Sequence, residues 1–190
     1  MWPYYKLLPD LPRPPQKFFD EVEVDVNNLP NQTDMHEIRY RNVTRGNEKF
    51  LASPAVRVPT TPEFAQWFKE NIAPNPKDVS INYRHCNSDT GGIHTDTTRE
   101  YRLAYNILDG GPNCGVIYYQ QHGYPLMREL AIQHLTYHDV TPVHKLVGPN
   151  NVWFLMDTRI LHSCEGIESP RVQFDISFDT ESVPQEWLVD

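Results

Sequence analysis

Cysteine is scarce in this sequence, which contains only Cys86, Cys114 and Cys164 and no CxxC pair. This pattern argues against a disulfide framework and against a zinc site built on cysteines. The sequence also lacks any uninterrupted run of about 18 apolar residues, so it predicts no transmembrane helix. Residues 1–15 have no apolar segment of the signal-peptide type, and we therefore expect a cytoplasmic protein.

Basic residues are few compared with acidic ones. The chain has 190 residues, of which 17 are Lys or Arg and 25 are Asp or Glu, so its formal net charge is −8 at pH 7. Proteins that hold nucleic acid through its phosphates need an excess of Lys and Arg, so the composition argues against a nucleic-acid partner. Hydrophobic residues make up 39% of the chain, as in folded globular proteins, and the length predicts a single domain over residues 1–190.

Glycine is also infrequent, at 9 residues, whereas the 17 prolines favour rigid turns between short elements over long helices. One helix is predicted to begin at Thr60, which forms a capping box with Glu63, and to stop before Pro74. A second, shorter helix is predicted over residues 15–22. The polar stretch 26–50 predicts loops.

From residue 78 onward the sequence is a series of short β-type segments separated by turn signals. The predicted strands are Val79–Arg84, Tyr101–Leu108, Val116–Gln120, Val143–Val147, Val152–Asp157, Ile160–Cys164 and Arg171–Phe178. Many short strands after a helical N-terminal part indicate a β-rich α+β fold, a β-sandwich or jelly roll, with the helices packed on the larger sheet. We place the core at residues 78–178, and an N-terminal arm with the helices at residues 1–77.

The last predicted strand, Arg171–Phe178, alternates strictly between polar and apolar side chains. One face carries Val172, Phe174, Ile176 and Phe178, and the other carries Arg171, Gln173, Asp175 and Ser177. Two interpretations stay open for the polar face. It is in contact with water in an ordinary half-buried strand, whereas in a jelly roll it can line an internal cavity. Arg102 and Asn106 lie on the equivalent face of the strand that begins at Tyr101.

The motif His94-Thr95-Asp96 carries the strongest chemical signal. Residues i and i+2 of a strand point to the same face, so this imidazole and this carboxylate can bind one metal ion together. With a distant second histidine they would form a two-histidine, one-carboxylate set, which leaves three adjacent positions open on Fe(II). His162 lies far downstream, and Arg171 follows it by nine residues.

This pattern resembles that of the 2-oxoglutarate- and Fe(II)-dependent dioxygenases, in particular the prolyl 4-hydroxylase-like and aspartyl/asparaginyl hydroxylase-like members. The likeness extends over about residues 78–178 and consists of four spaced residues and the order of the strands. It implies a double-stranded β-helix (jelly-roll) core, with His94, Asp96 and His162 binding the iron. Arg171 would pair with the distal carboxylate of 2-oxoglutarate, which a guanidinium can meet with two parallel hydrogen bonds.

The resemblance further implies an oxidoreductase that consumes 2-oxoglutarate and O2 and releases succinate and CO2 as it hydroxylates its substrate. That substrate is unidentified, and the likeness favours a peptidyl or free amino-acid one. Tyr83 matches a tyrosine that binds the cosubstrate carboxylate in prolyl 4-hydroxylase-like members, and it could equally be a core or rim residue. Arg102 and Asn106 could hold 2-oxoglutarate or the substrate, or could lie on a solvated strand face.

Two other functions stay open at this point. A cupin-like metalloenzyme would use the same three metal ligands without 2-oxoglutarate, and would not depend on Arg171. A non-enzymatic β-sandwich, serving in binding or structure, would use its histidines structurally and would bind no stoichiometric transition metal.

Overall fold

The computed structural model describes residues 4–27, 41–45, 48–52, 56–84, 93–130, 135 and 138–189. The strands are β1 (Tyr5–Leu8), β2 (Arg41–Arg45), β3 (Glu48–Ala52), β4 (Val56–Pro59), β5 (Asp78–Arg84), β6 (Tyr101–Asp109), β7 (Gly115–Gln121), β8 (Val140–Val147), β9 (Trp153–Asp157), β10 (His162–Glu165) and β11 (Arg171–Phe178). The helices are α1 (Gln16–Asn27), α2 (Pro62–Asn71) and a short 3-10 helix, Gln185–Trp187. Within these described ranges no helix is both long and apolar enough to cross a membrane.

The strands pair in antiparallel sheets. The large sheet has six strands in the order β1-β9-β6-β11-β5-β4, and the small sheet has three in the order β10-β7-β8. Each of the seven strands predicted from the sequence overlaps one of these, and the segment Arg171–Phe178 coincides with β11. The β-rich character predicted from the sequence is therefore confirmed.

The sequence-based assignment missed strands at the edges. The strands β1 and β4 lie at the two ends of the large sheet, where each pairs with one neighbour, β9 and β5 respectively. The strands β2 and β3 pair with each other within residues 41–52, so the loop prediction for residues 26–50 was wrong at residues 41–45 and 48–50. These segments are short and carry no sustained alternation of polar and apolar residues, which is the pattern that identifies a strand.

The start of α2 also differs from its predicted position. Thr61, rather than Thr60, caps the helix, because its side-chain oxygen accepts a hydrogen bond from the Phe64 backbone nitrogen at 3.3 Å. The Thr60 hydroxyl instead donates to the carbonyl of Val79 at 3.2 Å. A proline is favoured at the first helical position, so Pro62 begins the helix and the N-cap is the residue before it, Thr61.

One hydrophobic core lies between the helices and the large sheet. The helices contribute four buried phenylalanines, and the ring of Phe64 stacks on that of Phe174 in β11 with centroids 4.1 Å apart. The helix residues of this core are Phe18, Phe19, Phe64 and Phe68. The helices thus pack on the large sheet, as the sequence predicted.

A second interface lies on the opposite face of the large sheet, where the small sheet packs. Buried apolar side chains from both sheets meet there: Ala104, Val116, Tyr118, Leu146, Phe154, Met156 and Ile160. The two sheets therefore form a sandwich. The polar residues of β11 lie on this inner face, because Asp175 is the register partner of Ala104 in β6. The four polar residues of β11 are each at most 3% exposed, so this face lies in the interior and not in water: Arg171, Gln173, Asp175 and Ser177.

Candidate metal centre

His94 and His162 are held opposite each other by backbone hydrogen bonds. The His94 nitrogen donates to the His162 carbonyl at 3.0 Å, and the His162 nitrogen donates to the His94 carbonyl at 2.8 Å. Asp96, two residues further along, is fixed by a 3.0 Å bond from its backbone nitrogen to the carbonyl of Thr158. One ligand atom from each of the three predicted residues then lies within 4.8 Å of the other two.

The potential metal-binding atoms of the three side chains face one another. Asp96 Oδ1 lies 3.6 Å from His94 Nε2 and 3.8 Å from His162 Nε2. His162 Nδ1 lies 2.8 Å from the carbonyl oxygen of Ile160, and because a carbonyl can only accept, Nδ1 must carry the proton. The lone pair of His162 is therefore on Nε2, the nitrogen that faces the other two side chains, as a metal ligand requires. Two imidazoles and one carboxylate at this spacing fit a divalent transition-metal ion.

The charge states of these groups suit metal binding. Burial, together with the nearby His94, lowers the pKa of His162 to about 4, so its imidazole is neutral at pH 7. Burial alone would raise the pKa of Asp96, but the charge of Arg99 holds this pKa well below its usual value. A neutral imidazole and an ionised carboxylate are the forms that coordinate a metal.

A buried ion-pair network that the sequence did not reveal adjoins the three residues. Arg99 donates through Nε to Asp96 Oδ2 and through Nη1 to Asp175 Oδ1, the latter at 2.5 Å. Asp175 also lies 3.0 Å from Arg102 Nη2, and Asn82 Nδ2 donates to it at 3.0 Å. The position of Arg99, three residues after Asp96, was the available signal, but only the fold brings both residues to Asp175.

Arg171 is buried at the start of β11 and reaches toward β10. Its Nη1 donates to the sulfur of Cys164, which lies two residues after His162 and hence on the same face of that strand. Within the described part of the chain, none of the ion pairs involves Arg171. Cys114 packs beside Cys164, and its hydrogen bond, together with the charge of Arg171, lowers the pKa of the Cys164 thiol. Cys86 lies outside the described residues.

Arg102 and Asn106 lie in the same buried polar layer and not on a solvated face. Arg102 Nη2 donates to Gln173 Oε1 at 2.7 Å, and Gln173 Nε2 donates to Asn106 Oδ1 at 2.5 Å. Asn106 in turn donates to the carbonyl of Pro149 at 3.0 Å. These contacts extend the polar layer from Asp175 along β6 and β11, away from the three metal-binding residues.

Two buried donors in this region have no hydrogen-bond partner among the described residues. They are Nε of Arg102 and the hydroxyl of Tyr118. Tyr118 is the register partner of His162, and their rings are 6.3 Å apart. A buried donor without an acceptor is unfavourable, so a water molecule or a ligand is needed to supply the missing acceptors.

Tyr83 does not join this group. It belongs to the core between the helices and the large sheet, on the same face as its register partner Val172. Neighbouring residues of a strand point to opposite faces, and Asn82 takes the inner face, where it contacts Asp175. The structure thus places Tyr83 as a core residue, which was the alternative to a cosubstrate ligand.

Comparison with known proteins gives a likeness of fold. No family model matches the chain, and no curated protein does. Among solved structures, the chain is similar to AviO1 from Streptomyces viridochromogenes Tue57, with 13% sequence identity and a TM-score of 0.50. The alignment covers 95% of this chain and 92% of that one. At this identity the likeness concerns the fold alone.

Proposed function

We propose that this protein is an Fe(II)- and 2-oxoglutarate-dependent oxygenase that hydroxylates a peptidyl, free amino-acid or other small substrate. The observation that carries this proposal is the convergence of two imidazole nitrogens and one carboxylate oxygen within 4.8 Å. Such a set occupies one side of an iron ion and leaves the other side for ligands from solution. Arg171 supplies a buried cation that contacts Cys164, two residues after His162.

The order of the strands supports a double-stranded β-helix. From β5 onward the chain passes to the segment of His94, which bridges to β10 in the small sheet, and then to β6 in the large sheet. It continues through β7 and β8 in the small sheet, β9 in the large, β10 in the small and β11 in the large. Eight segments divided equally between two facing antiparallel sheets are typical of a jelly roll.

When bound, Fe(II) would supply the redox chemistry by which 2-oxoglutarate, O2 and a substrate C–H group give succinate, CO2 and a C–OH group. The protein's own part is to hold the ion by His94, Asp96 and His162 and to bind the cosubstrate beside it. The Asp96 carboxylate would fill the coordination position that halide needs in halogenation, so hydroxylation is favoured.

The charges of the interior support an anionic cosubstrate. Arg99 pairs with Asp96 and Asp175, and Arg102 pairs with Asp175, whereas the buried Arg171 donates to the sulfur of Cys164. A buried guanidinium needs a charged partner to offset its desolvation, and none of the described ion pairs provides one for Arg171. The distal carboxylate of 2-oxoglutarate would be that partner.

The two unpartnered donors fit the same ligand. Burial raises the pKa of Tyr118, so its hydroxyl keeps its proton and can donate a hydrogen bond. Arg102 Nε is the second available donor. Carboxylate oxygens of the cosubstrate, or an acceptor on the substrate, would satisfy both.

Succinate release tests the proposal. Purified protein supplied with Fe(II), 2-oxoglutarate, O2 and a panel of amino acids and peptides should release succinate, and His94→Ala or Asp96→Ala should abolish this release. His122→Ala is the matched control, because this histidine is exposed and bonds to Thr141. Iron-loaded protein that leaves 2-oxoglutarate unconsumed with every candidate substrate would count against the proposal.

The same samples separate the two alternatives. A cupin-like enzyme would bind the metal through the same residues but would be indifferent to Arg171→Ala, whereas our proposal requires this variant to lose 2-oxoglutarate consumption. A non-enzymatic sandwich would bind no stoichiometric transition metal, which elemental analysis of the purified protein would show.

A further inference from the structure

We propose that Arg99 is a positioning residue for the metal-binding carboxylate, holding Asp96 so that it offers the ion a single oxygen. The inference rests on the metal site of the proposed function, and it does not depend on the cosubstrate. It can therefore be tested with a metal ion alone.

The two oxygens of Asp96 have different surroundings. Oδ1 faces both imidazoles, at 3.6 Å from His94 Nε2 and 3.8 Å from His162 Nε2. Oδ2 accepts a hydrogen bond from Arg99 Nε. A charge-assisted hydrogen bond to the second oxygen of a carboxylate orients it and favours metal binding through the first oxygen. This arrangement would keep three positions on the ion open, where a carboxylate that chelates through both oxygens would leave two.

Arg99 is itself rigidly held, which a positioning role requires. Its Nη1 donates to Asp175 Oδ1 at 2.5 Å, and its backbone carbonyl accepts a hydrogen bond from the Thr158 hydroxyl at 2.9 Å. Asp175 is fixed in turn by Arg102 and Asn82, each 3.0 Å from its Oδ2. The orientation of the Asp96 carboxylate is thus tied to the centre of the large sheet through one planar guanidinium.

A purely structural role for Arg99 makes a different prediction. If its only task were to offset the buried charge of Asp175, its replacement would lower stability and leave metal coordination unchanged. A positioning role requires that metal coordination itself changes. Metal affinity and the spectrum of the bound ion therefore distinguish the two roles, whereas unfolding experiments alone do not.

The test uses Co(II) as a spectroscopic probe in wild type, Arg99→Gln and Arg99→Lys. Glutamine removes the charge and the fork of donors, and lysine keeps the charge but cannot bridge Asp96 and Asp175 with fixed geometry. Loss of a group that orients a metal ligand typically lowers metal affinity by roughly 10–100-fold, and we expect this for Arg99→Gln, with a smaller loss for Arg99→Lys. The visible absorption of bound Co(II) should change in Arg99→Gln, because Asp96 is then free to bind through both oxygens.

Arg57→Gln is the matched control. Arg57 lies 3.9 Å from the Asp175 oxygen that Arg99 contacts, but it does not contact Asp96, and its hydrogen bonds are with Asp78, Ser80 and Ser177. This variant should keep the wild-type Co(II) affinity and spectrum.

Folded Arg99→Gln with wild-type affinity and an unchanged Co(II) spectrum would overturn the inference. If Arg99→Gln does not fold, Arg99→Lys decides, and wild-type affinity and spectrum in that variant would overturn it equally. Wild-type protein that binds no Co(II) would contradict the proposed function as well, so the failure of the metal site and the failure of the positioning role give different results.

Discussion

Asp175→Asn is the sharpest test of the buried polar layer. The Asp175 side chain has no solvent exposure, and it lies 2.5 Å from Arg99 Nη1 and 3.0 Å from Arg102 Nη2. Asparagine keeps the shape of the side chain and removes its charge. Arg99 would still contact Asp96, whereas Arg102 would lose its carboxylate partner and keep the amide oxygen of Gln173.

The expected loss of stability is large. Removing one member of a buried ion pair leaves an uncompensated charge in the interior and costs about 3–5 kcal/mol. In a protein of this size 1 kcal/mol corresponds to about 2–4 °C in the unfolding temperature, so the midpoint should fall by roughly 6–20 °C. Thermal unfolding followed by near-ultraviolet circular dichroism at neutral pH measures this shift.

Asp78→Asn provides the control for this measurement. Asp78 also pairs with an arginine, Arg57, at 2.7 Å, but both side chains of this pair are partly exposed. Exposed pairs contribute about 0–1 kcal/mol, so this variant should unfold close to the wild-type temperature. Equal losses in Asp175→Asn and Asp78→Asn would refute the view that the interior depends on Asp175.

The pH dependence gives an independent check. Burial would raise the pKa of Asp175, but the charges of Arg102 and Arg99 hold it far below its usual value. A carboxylate with a lowered pKa in the folded state contributes stability above its unfolded pKa of about 3.9, and this stability is lost as the pH falls toward the folded value. The difference in stability between wild type and Asp175→Asn should therefore be constant near neutral pH and shrink below about pH 4.

Three further predictions concern the ligand set, the helix-side core and the cosubstrate cation. Burial lowers the pKa of His162 to about 4, whereas an unfolded histidine titrates near about 6.5. Between these values the unfolded chain binds a proton that the folded chain does not, so the metal-free protein should lose stability as the pH is lowered through this window. Urea unfolding should show this loss in the wild type and a smaller loss in His162→Gln, and equal losses would contradict the assignment. Phe64→Ala should lower the free energy of unfolding by about 3–5 kcal/mol, because the ring stacks on Phe174 in the core, whereas Lys69→Ala at an exposed position should stay within about 0.5 kcal/mol of the wild type. A small loss for Phe64→Ala in chemical denaturation would be inconsistent with this packing. Arg171→Lys keeps the charge and loses the fork of the guanidinium, so it should weaken 2-oxoglutarate binding by roughly 10-fold or more and leave Co(II) affinity unchanged in calorimetry. Unaltered 2-oxoglutarate affinity would argue against Arg171 as the anchor.

The sequence was most informative where the chemistry is local. The spacing of His94 and Asp96 predicted that their side chains can share one metal ion, although this segment forms only isolated β-bridges at Ile93 and His94 and not a strand. The alternation of β11 separated its polar and apolar sides correctly. Their partner His162 could be named only through the resemblance, because a contact across the small sheet depends on strand register. The same alternation could not say whether the polar face of β11 met water or the interior.

Other parts depend on long-range pairing that no local pattern reports. Arg99 follows the metal motif without any periodic signal, and its role appears only when Asp175 of β11 lies beside it. In the sequence Tyr118 is not distinguished from other aromatic residues of buried strands, and only the strand register shows that it lies opposite His162. For Tyr83 the resemblance suggested a cosubstrate ligand, but its side chain lies on the face of β5 that packs against the helices.

The most direct test of the central claim is the visible absorption of the Fe(II)-loaded protein as 2-oxoglutarate is added without oxygen. Chelation of the iron by the α-keto acid should produce a weak metal-to-ligand charge-transfer band that saturates at one cosubstrate per chain, and His94→Ala or Asp96→Ala should lack it. Wild-type protein that holds iron but stays colourless at saturating 2-oxoglutarate would contradict the account.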